Sequence, residues 1–494
     1  MENNRSSSPL LFIDLNNFAT YPTLAVGYLI RSLRSANHKV ELLSPLALGV
    51  PAFTRDHEET WKDQLLRRLY FSSHPLLNYF HDSLRNLHSR WLSRPHPLML
   101  KEVHQAIAKR PAAILISAYL TQYEMCVEIG KAAKATGIPV LLGGPFFNIT
   151  NVTKEWLEIE GVTAIVGGEV DFTISDIVDT LLTGGDLNQH KGVFLANGKN
   201  GGIVPPLKAL SSLPVPDFTD FPWDKYPHHI IPIMTGRGCS WGACTFCGDV
   251  ISANGRTFRS RGIASVLNEL KQQSDTHQSK DFIFLDIKLN SDLDVWNGLI
   301  DYFQACVPGG RWIGTVHVNH KGENGLSPER LKDAKKAGLT RISFGLESAS
   351  QSLLDKMKKG TKIEECSEFI LAAHNAGISV RTSMMQGFPG ETVEDLCKTN
   401  IFLKKHYHAL DRVRLSLFKP LPNTPFDRMY QKNPEKYISM KQFRWNYKLA
   451  RGLYRYHPNR NKAYRKAKRE LLSIVYAINK KPLTDDAQQF NGMM

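Results

Sequence analysis

The sequence predicts an α/β protein: a doubly wound (Rossmann- or flavodoxin-like) domain, then a (β/α)6 partial TIM barrel, then a small basic helical subdomain. Two observations predict this order. Short apolar runs alternate with helical patterns in two separate series. Between them, residues 204–228 contain six prolines and no periodicity, which is typical of a linker. The predicted boundaries are 1–205 with a helical insertion at about 55–108, then 206–228, 229–430 and 431–494.

The first series begins a doubly wound sheet. The apolar run LLFIDL is followed by a helical pattern in which Ala25, Leu29 and Leu33 recur at four-residue spacing, and then by KVELLS. After the insertion come AAILISA, IPVLLGG and VTAIVGGE, which lack polar alternation, as parallel strands covered on both faces do. Glycine pairs stand at the ends of LLGG and IVGG, the edge at which open α/β sheets bind ligands.

The second series contains six strand-like runs separated by helical segments. They are IIPIMT, DFIFLDI, RWIGTVHV, RISFGLE, ISVRTSMM and VRLSLF. Six strand–helix units in series predict a parallel sheet curled into a full or partial barrel, with its chemistry at the carboxyl ends of the strands.

Composition is that of an ordinary globular protein. The chain has 494 residues, of which 42% are hydrophobic and 22% charged. It has no apolar run of about 18 residues, and its first residues are typical of a strand and not of a signal peptide, so we predict a cytoplasmic protein without a membrane span. Seven cysteines do not make a disulfide framework, and we expect the four scattered ones to be buried apolar residues: Cys126, Cys306, Cys366 and Cys397.

The other three cysteines are clustered in GRGCSWGACTFCGDV, residues 236–250. Thiolates suit zinc or iron–sulfur clusters, but a closed zinc site needs four ligands, and His228 and His229 lie before the strand, at its opposite end. Four-iron clusters usually have four cysteine ligands. Cys239, Cys244 and Cys247 would therefore leave one iron with an open position.

This pattern resembles the radical S-adenosylmethionine superfamily, in which three closely spaced cysteines follow the first strand of a six-unit barrel. The spacing here is C-x4-C-x2-C, whereas C-x3-C-x2-C is the commonest in that superfamily. The resemblance implies a [4Fe-4S] cluster on the three cysteines and S-adenosyl-L-methionine on its open iron. It also implies a 5′-deoxyadenosyl radical and an electron donor such as flavodoxin or ferredoxin.

Other barrel segments carry the same resemblance. Phe246 matches the aromatic residue that packs near the adenine of the cofactor. Residues 344–360, FGLESASQSLLDKMKKG, resemble the fourth-strand motif, with Glu347 as the polar contact. Residues 377–392, GISVRTSMMQGFPGET, resemble the fifth-strand motif and its glycine-rich turn, which places Ser383 and Gly387 beside S-adenosylmethionine.

The segments of the first domain and the linker LPVPDFTDF, in that order, resemble the cobalamin-binding domain of one large radical enzyme branch. The resemblance covers about residues 10–425. The Asp-x-His-x-x-Gly motif, which gives a histidine to cobalt in many such domains, is absent after the first strand, so the cobalt should lack a histidine from that motif. The resemblance implies cobalamin contacts at the strand ends: Ser117, Gly143, Gly144, Pro145, Gly167, Gly168 and Glu169.

The two resemblances together imply a C-methyltransferase that acts on an unactivated carbon of a small-molecule, carrier-protein-bound or peptide substrate in biosynthesis. A radical cyclase or ring-rearranging enzyme without net methyl transfer is the alternative. A tRNA methylthiotransferase would need a second three-cysteine cluster, and residues 1–238 contain only Cys126. A cobalamin-binding sensor with a vestigial barrel is an alternative of another class, and the intact cysteines and Glu347 argue against it.

The end of the chain is basic and aromatic. Residues 441–470 contain eleven lysines and arginines and one acid, out of a net charge of +15. We interpret the segment as a helix pair with solvated basic side chains, in preference to a nucleic-acid site; an acidic partner is the functional alternative. The inward side chains would be its aromatic residues: Phe443, Trp445, Tyr447, Tyr454, Tyr456 and Tyr464.

Overall fold

The computed structural model describes residues 8–17, 19–50, 57–72, 94–248, 258–320, 322–456 and 461–493. Much of the predicted insertion (residues 55–56 and 73–93) lies outside these ranges, as does the side chain of Tyr456. Among the described residues, no helix is both long and apolar enough to span a bilayer.

A six-stranded sheet forms the first domain. Its strands are β1 (Leu10–Asp14), β2 (Val40–Leu43), β3 (Ile114–Ser117), β4 (Val140–Gly143), β5 (Ala164–Val166) and β6 (Val193–Leu195). The order is β2-β1-β3-β4-β5-β6, parallel except for β6, which pairs antiparallel with β5. All five residues of β1 are buried, as expected for a strand covered on both faces. The doubly wound fold predicted for this domain is confirmed.

Helices cover both faces of this sheet. They are α1 (Leu24–Ser35), α3 (Pro97–Ala108), α4 (Tyr123–Thr136), α5 (Thr150–Leu157) and α6 (Ile174–Thr183), whereas α2 (Trp61–Tyr70) packs against the C-terminal helix Lys462–Asn479. The described part of the insertion is thus mainly helical. The apolar residues of α1 and α6 belong to a core that continues into the barrel, whereas those of α3, α4 and α5 form a separate core. The two domains therefore share one hydrophobic core on the side of α1.

The proline-rich linker is ordered by that shared core. Phe218 is fully buried, and a Cβ at Gly27 of α1 would lie 2.4 Å from its ring. The Asp217 amide donates to the Gly27 carbonyl at 3.0 Å. Glycine at position 27 thus lets the linker pack directly on α1.

The barrel is a six-stranded parallel sheet with a short hairpin at its mouth. Its strands are β7 (Ile230–Ile233), β10 (Asp281–Phe284), β11 (Arg311–Val316), β12 (Leu339–Glu347), β13 (Ser379–Gln386) and β14 (Arg412–Leu417), and the hairpin is β8 (Gly236–Arg237) and β9 (Arg259–Ser260). The helices between them are α7 (Ile263–His277), α8 (Leu293–Cys306), α9 (Pro328–Lys336), α10 (Gln351–Met357), α11 (Ile363–Asn375) and α12 (Val393–Lys405). β7 and β14 are the outer strands of the sheet, so the barrel is partial, as predicted.

The C-terminal region differs from the prediction. It comprises α13 (Pro425–Lys432), β15 (Met440–Asn446), β16 (Arg451–Tyr456), α14 (Lys462–Asn479) and α15 (Asp485–Gln488). The predicted helix pair is wrong for residues 440–456, where β15 and β16 form an antiparallel hairpin. Aromatic residues at alternate positions, such as Phe443 and Trp445, favour a strand because they share one face of it.

The helix α14 is built into the barrel. Its apolar side packs against α12 and β14, with Leu471, Val475 and Ile478 buried. The expectation that every basic side chain of this segment is solvated is wrong for Lys468, which is 3% exposed. Beyond α14, Phe490 and Met493 pack against three isoleucines at the amino-terminal side of the barrel.

The hairpin β15–β16 contacts both domains. On the barrel side, Phe443 and Tyr454 pack with a group of aromatic residues around Phe418. On the other side, Ala450 is fully buried in the core of the first domain, and the Trp156 indole donates to the Lys448 carbonyl at 3.1 Å. The hairpin therefore ties the two domains together.

Replacing Trp156 by phenylalanine tests this tie. Trp156 is fully buried beside Phe147 and Tyr123. We expect the variant to lose about 1–2 kcal/mol of unfolding free energy, because the Lys448 carbonyl loses its donor and a smaller ring fills the site. Urea unfolding measures the loss; a variant as stable as the wild type would show that the hydrogen bond from Trp156 to the Lys448 carbonyl adds nothing to stability.

The scattered cysteines are only partly as expected. Cys126 and Cys366 are buried, Cys306 is half-buried, and Cys397 is exposed. The prediction is wrong for Cys397, because the side of α12 that carries it faces away from the barrel.

Candidate functional site

The three clustered cysteines lie in the loop that follows β7, at the carboxyl ends of the barrel strands. Asp286, just after β10, holds the start of that loop. Its carboxylate accepts hydrogen bonds from the Thr235 amide at 3.0 Å, the Thr235 hydroxyl at 2.7 Å and the Gly236 amide at 2.9 Å. The loop therefore leaves β7 in a fixed direction.

Asp286 yields a testable prediction on stability. Replacing it by alanine should lower the free energy of unfolding by about 3 kcal/mol, because buried donors of Thr235 and Gly236 lose their acceptor.

Burial raises the pKa of Asp286 to about 6, so the folded protein holds the proton of this carboxyl group more tightly than the unfolded chain does. Relative to Asp286→Asn, the wild type should therefore become less stable as pH rises from about 4 to about 6. Urea unfolding across that range measures both effects; a pH-independent difference would contradict the second.

The residues present fit a four-iron cluster better than a single ion. Cys239, Cys244 and Cys247 form no disulfide bond and are half-buried. Among the described residues, no group of three or more histidine, cysteine or acidic side chains converges on one ion position. In a four-iron cluster each cysteine binds a different iron, so the three sulfurs need not meet at one point.

Glu347 forms a buried ion pair at the mouth of the barrel. It ends β12 in the left-handed region, with φ of 60°, and its Oε1 lies 3.1 Å from Nζ of Lys359. A Cβ at Gly345 would come within 2.4 Å of that oxygen and 2.6 Å of that nitrogen, so any other residue there would displace the pair from this position. Although burial opposes the charge, Glu347 and the Cys244 and Cys247 sulfurs hold the pKa of Lys359 above its usual value.

The backbone that carries Lys359 is fixed to the cysteine loop. The Thr245 amide donates to the Met357 carbonyl at 2.9 Å, and the Trp241 indole donates to the Lys358 carbonyl at 2.9 Å. The His317 ring donates through Nε2 to the Lys359 carbonyl at 2.9 Å. The Lys359 side chain is thus held at a set position relative to the loop, 5.9 Å from the Phe246 ring centroid.

A second buried lysine lies beside the first cysteine. Lys288, after β10, is 7% exposed, and its Nζ lies 3.0 Å from the Ser240 hydroxyl and 3.4 Å from Oδ1 of Asn319. Burial lowers the pKa of Lys288, and the Cys239 sulfur opposes this. His317, near both lysines, stays neutral at physiological pH, because burial and the two ammonium charges lower its pKa to about 3.

The glycine-rich turn after β13 is held by an acid. The Gly387 amide donates to Oε2 of Glu391 at 2.9 Å, and the Tyr464 hydroxyl donates to the same oxygen. Burial raises the pKa of Glu391 to about 7. Ser383 is half-buried and lies on the face of β13 opposite the buried Met384, toward the barrel interior. Ser383 and Gly387 therefore border the same mouth as Glu347.

The predicted cobalamin residues lie together at the carboxyl edge of the first sheet, where β3, β4 and β5 end. Two of their glycines serve internal packing: a Cβ at Gly144 would lie 2.2 Å from the Ala118 carbonyl oxygen, and one at Gly167 would lie 2.3 Å from that of Phe147. At Gly143 a Cβ would lie at ordinary van der Waals distance, 3.7 Å, from the Val166 carbonyl oxygen, so this glycine is not required by internal packing. Pro145 follows these glycines directly, and Gly168 has a positive φ of 99°.

Glu169 and Asp171, which follow β5, join this edge to the cysteine loop. Both oxygens of Glu169 bind Arg259 of β9, at 2.6 and 2.8 Å, and Asp171 binds Arg237 of β8 at 2.8 and 2.7 Å. Arg237 stands shortly before Cys239. The carboxyl edges of the two sheets therefore meet at the start of the cysteine loop, and the Glu169 carboxylate, predicted to contact cobalamin, is engaged by an arginine.

Sequence reasoning missed several charged residues of this site: Asp171, Arg237, Arg259, Asp286, Lys288, Lys359 and Glu391. Arg237, Lys359 and Glu391 lie inside quoted motifs, which offered a signal. Arg259 gave none, because its partner Glu169 comes from the other domain.

Residues 233–403 match the sequence profile of the Radical SAM superfamily. The chain is 28% identical over 328 residues to an uncharacterized methyltransferase of Pyrococcus horikoshii, covering 64% of this chain and 68% of that protein. It is 25% identical over 305 residues to the bacteriochlorophyllide d C-12(1)-methyltransferase of Chlorobaculum tepidum, covering 60% and 61%. An anaerobic magnesium-protoporphyrin IX monomethyl ester cyclase of Rubrivivax gelatinosus is 27% identical over 297 residues, covering 56% and 50%.

Two solved structures are similar over both domains. TsrM from Kitasatospora setae, a radical S-adenosylmethionine methyltransferase with cobalamin and a [4Fe-4S] cluster bound, has a TM-score of 0.62 at 16% identity, covering 86% of this chain and 78% of that one. OxsB, a cobalamin-dependent S-adenosylmethionine radical enzyme, has a TM-score of 0.66 at 16% identity, covering 92% and 65%. This likeness confirms the fold class predicted from the sequence, and the superfamily match confirms the resemblance of the barrel.

Proposed function

We propose that this radical S-adenosylmethionine enzyme, with its cobalamin-binding-like domain, transfers a methyl group to an unactivated carbon of a small-molecule, carrier-bound or peptide substrate. The observation that carries the proposal is the meeting of two ligand-binding edges. The ion pairs Glu169–Arg259 and Asp171–Arg237 hold the carboxyl edge of the first sheet against the start of the cysteine loop. A group bound at the first edge therefore faces the barrel mouth.

When bound, the cluster and S-adenosylmethionine supply a carbon-centred radical, and cobalamin supplies the methyl group. In our proposal Cys239, Cys244 and Cys247 bind the cluster. S-adenosylmethionine lies among Phe246, Glu347, Ser383 and Gly387. The strand ends Ser117, Gly143 and Gly168 line the cobalamin face, while Gly144 and Gly167 shape its loops.

The chain's own residues prepare the site in two ways. The Glu391 carboxylate fixes the amide of Gly387, so that the turn keeps one shape as a ligand arrives. The hairpin β15–β16 lies across both domains and screens the mouth from solvent on that side. An external donor such as flavodoxin or ferredoxin would supply the electron.

A radical cyclase is the second candidate, favoured by the similarity to the magnesium-protoporphyrin IX monomethyl ester cyclase. It would use the same cluster and the same barrel mouth. The two candidates differ in whether a methyl group of S-adenosylmethionine appears in the product.

Metal analysis of anaerobically reconstituted protein, with cobalamin offered, tests the proposal. We expect about four irons per chain together with stoichiometric cobalt. Gly143→Leu should lose cobalt and keep iron, because Gly143 ends β4 at the proposed cobalamin edge and a leucine side chain there would occupy the ligand's place. Iron without cobalt in the wild type would contradict the proposed cobalamin binding. Zinc in place of iron would contradict the proposed iron–sulfur cluster.

Deuterated S-adenosylmethionine then separates the two candidates. Once a substrate converts, a product heavier by a deuterated methyl group supports methyl transfer. An unlabelled product with a new ring would support the cyclase.

A further inference from the structure

The cysteine loop lies between two buried cations. Lys359 is 7% exposed, and Met357 and Lys358 just before it accept hydrogen bonds from Thr245 and Trp241 of the loop. Lys288 is also 7% exposed, and its Nζ lies 3.0 Å from the hydroxyl of Ser240, the residue after Cys239. Lysine is almost never buried without a reason, because an ammonium loses much hydration free energy when it leaves water. Each buried lysine therefore requires a source of negative charge nearby.

For Lys288, the described carboxylates do not provide that charge. Its hydrogen-bond partners are the neutral oxygens of Ser240 and Asn319, and in the described part of the chain no carboxylate lies within 4.0 Å of its ammonium nitrogen. The nearby group that can become negative is the Cys239 sulfur. The position of Lys288 is thus explained when the loop carries thiolates.

For Lys359, a single carboxylate is not the whole explanation. Glu347 balances one charge, but Lys359 is also placed between that carboxylate and two further thiols. Three successive carbonyls, from Met357 to Lys359, are bound by the cysteine loop and by His317, which sets the distance from the ammonium to the loop. Gly345 leaves the space that the ion pair occupies.

We propose that Lys288 and Lys359 are positioning residues whose two positive charges, one at each end of the cysteine loop, stabilise the bound iron–sulfur cluster and favour its one-electron reduction. The inference rests on the proposed cluster site. A four-iron cluster on three thiolates is an anion, and an added electron makes it more negative. Net charge near the cluster is one of the quantities that set its reduction potential. Neither lysine gains or loses a proton in this role.

Potentiometric titration of the reconstituted protein tests the inference. The cluster is reduced with dithionite in the absence of S-adenosylmethionine, and electron paramagnetic resonance follows the reduced form. Lys288→Met should lower the ratio of reduced to oxidised cluster about tenfold at a fixed potential, which is a midpoint shift of about −59 mV for one electron. Lys359→Met should do the same, and the double variant should show the sum.

Matched variants separate charge from packing. Lys288→Arg and Lys359→Arg keep the charge and should keep the wild-type potential within a few tens of millivolts, about a threefold change in the ratio. Glu347→Gln removes a negative charge and should raise the potential. Lys271→Met removes an exposed lysine, paired with Asp275 on the outer helix α7, and should leave the potential unchanged.

The outcomes distinguish the two proposals. Wild-type protein that binds no iron would overturn the cluster site and, with it, this inference. Wild-type protein with a full cluster and unchanged potentials in both methionine variants would overturn the inference alone. If a methionine variant fails to fold, the midpoint potential of Glu347→Gln is the deciding measurement. An unshifted midpoint in that variant would mean that the charges beside the cysteine loop do not act on the cluster, which would overturn the inference.

Discussion

Replacing Cys239, Cys244 or Cys247 by serine is expected to abolish cluster loading and all turnover while leaving the chain folded. Each variant should retain fewer than about one iron per chain in place of about four. The reason is chemical, since a serine hydroxyl is a much poorer ligand for iron than a thiolate. Iron analysis and the absorbance of the cluster measure the loss.

Cys397→Ser is the matched control. Cys397 is exposed on α12, outside the barrel mouth, and its loss should change neither iron content nor turnover. A serine variant at Cys239 that kept four irons would show that this cysteine is not a ligand.

Breaking the ion pair between Glu169 and Arg259 should have the second largest effect. Arg259→Met leaves the Glu169 carboxylate, 10% exposed, with two remaining partners, the Leu207 amide at 2.7 Å and the Arg237 guanidinium at 3.7 Å. Hydrogen bonds to a charged group contribute about 1.5–3 kcal/mol each, so we expect a loss of about 3 kcal/mol in unfolding free energy, along with a weaker contact between the domains. Chemical unfolding followed by fluorescence measures the loss.

The double variant Glu169→Gln with Arg259→Met separates structure from binding. It removes both charges, so most of the stability lost in Arg259→Met should return. If Glu169 serves only the interface, cobalt binding should return with the stability. Restored stability without restored cobalt binding would show that the Glu169 carboxylate also contacts cobalamin.

Much of the fold follows from local patterns. Parallel strands covered on both faces give short apolar runs, so β7 and β10 could be predicted from their own residues alone. The cysteine loop could be placed at the barrel mouth because it follows such a strand directly. The hairpin β15–β16 was missed because its basic residues were read as one face of a helix, while its aromatic residues repeat with the period of a strand.

The charged parts of the site depend on contacts that local sequence does not contain. Arg259 is ninety positions from Glu169, and nothing near either residue indicates the pairing. Nothing in the local sequence distinguishes Lys288 from a surface lysine, because its burial depends on contact with the loop that contains Cys239. Gly144 and Gly167 were predicted to contact cobalamin because they stand at strand ends, but glycine is required there by the close approach of the protein's own backbone.

The hairpin β15–β16 limits how a large ligand can reach the gap between the domains. Opening the gap as a hinge would pull Ala450 out of one core and the Phe443 and Tyr454 rings away from another. Such a motion amounts to local unfolding, so it should be rare and slow compared with loop fluctuations. A bulky cofactor held there would then exchange slowly and remain through many turnovers.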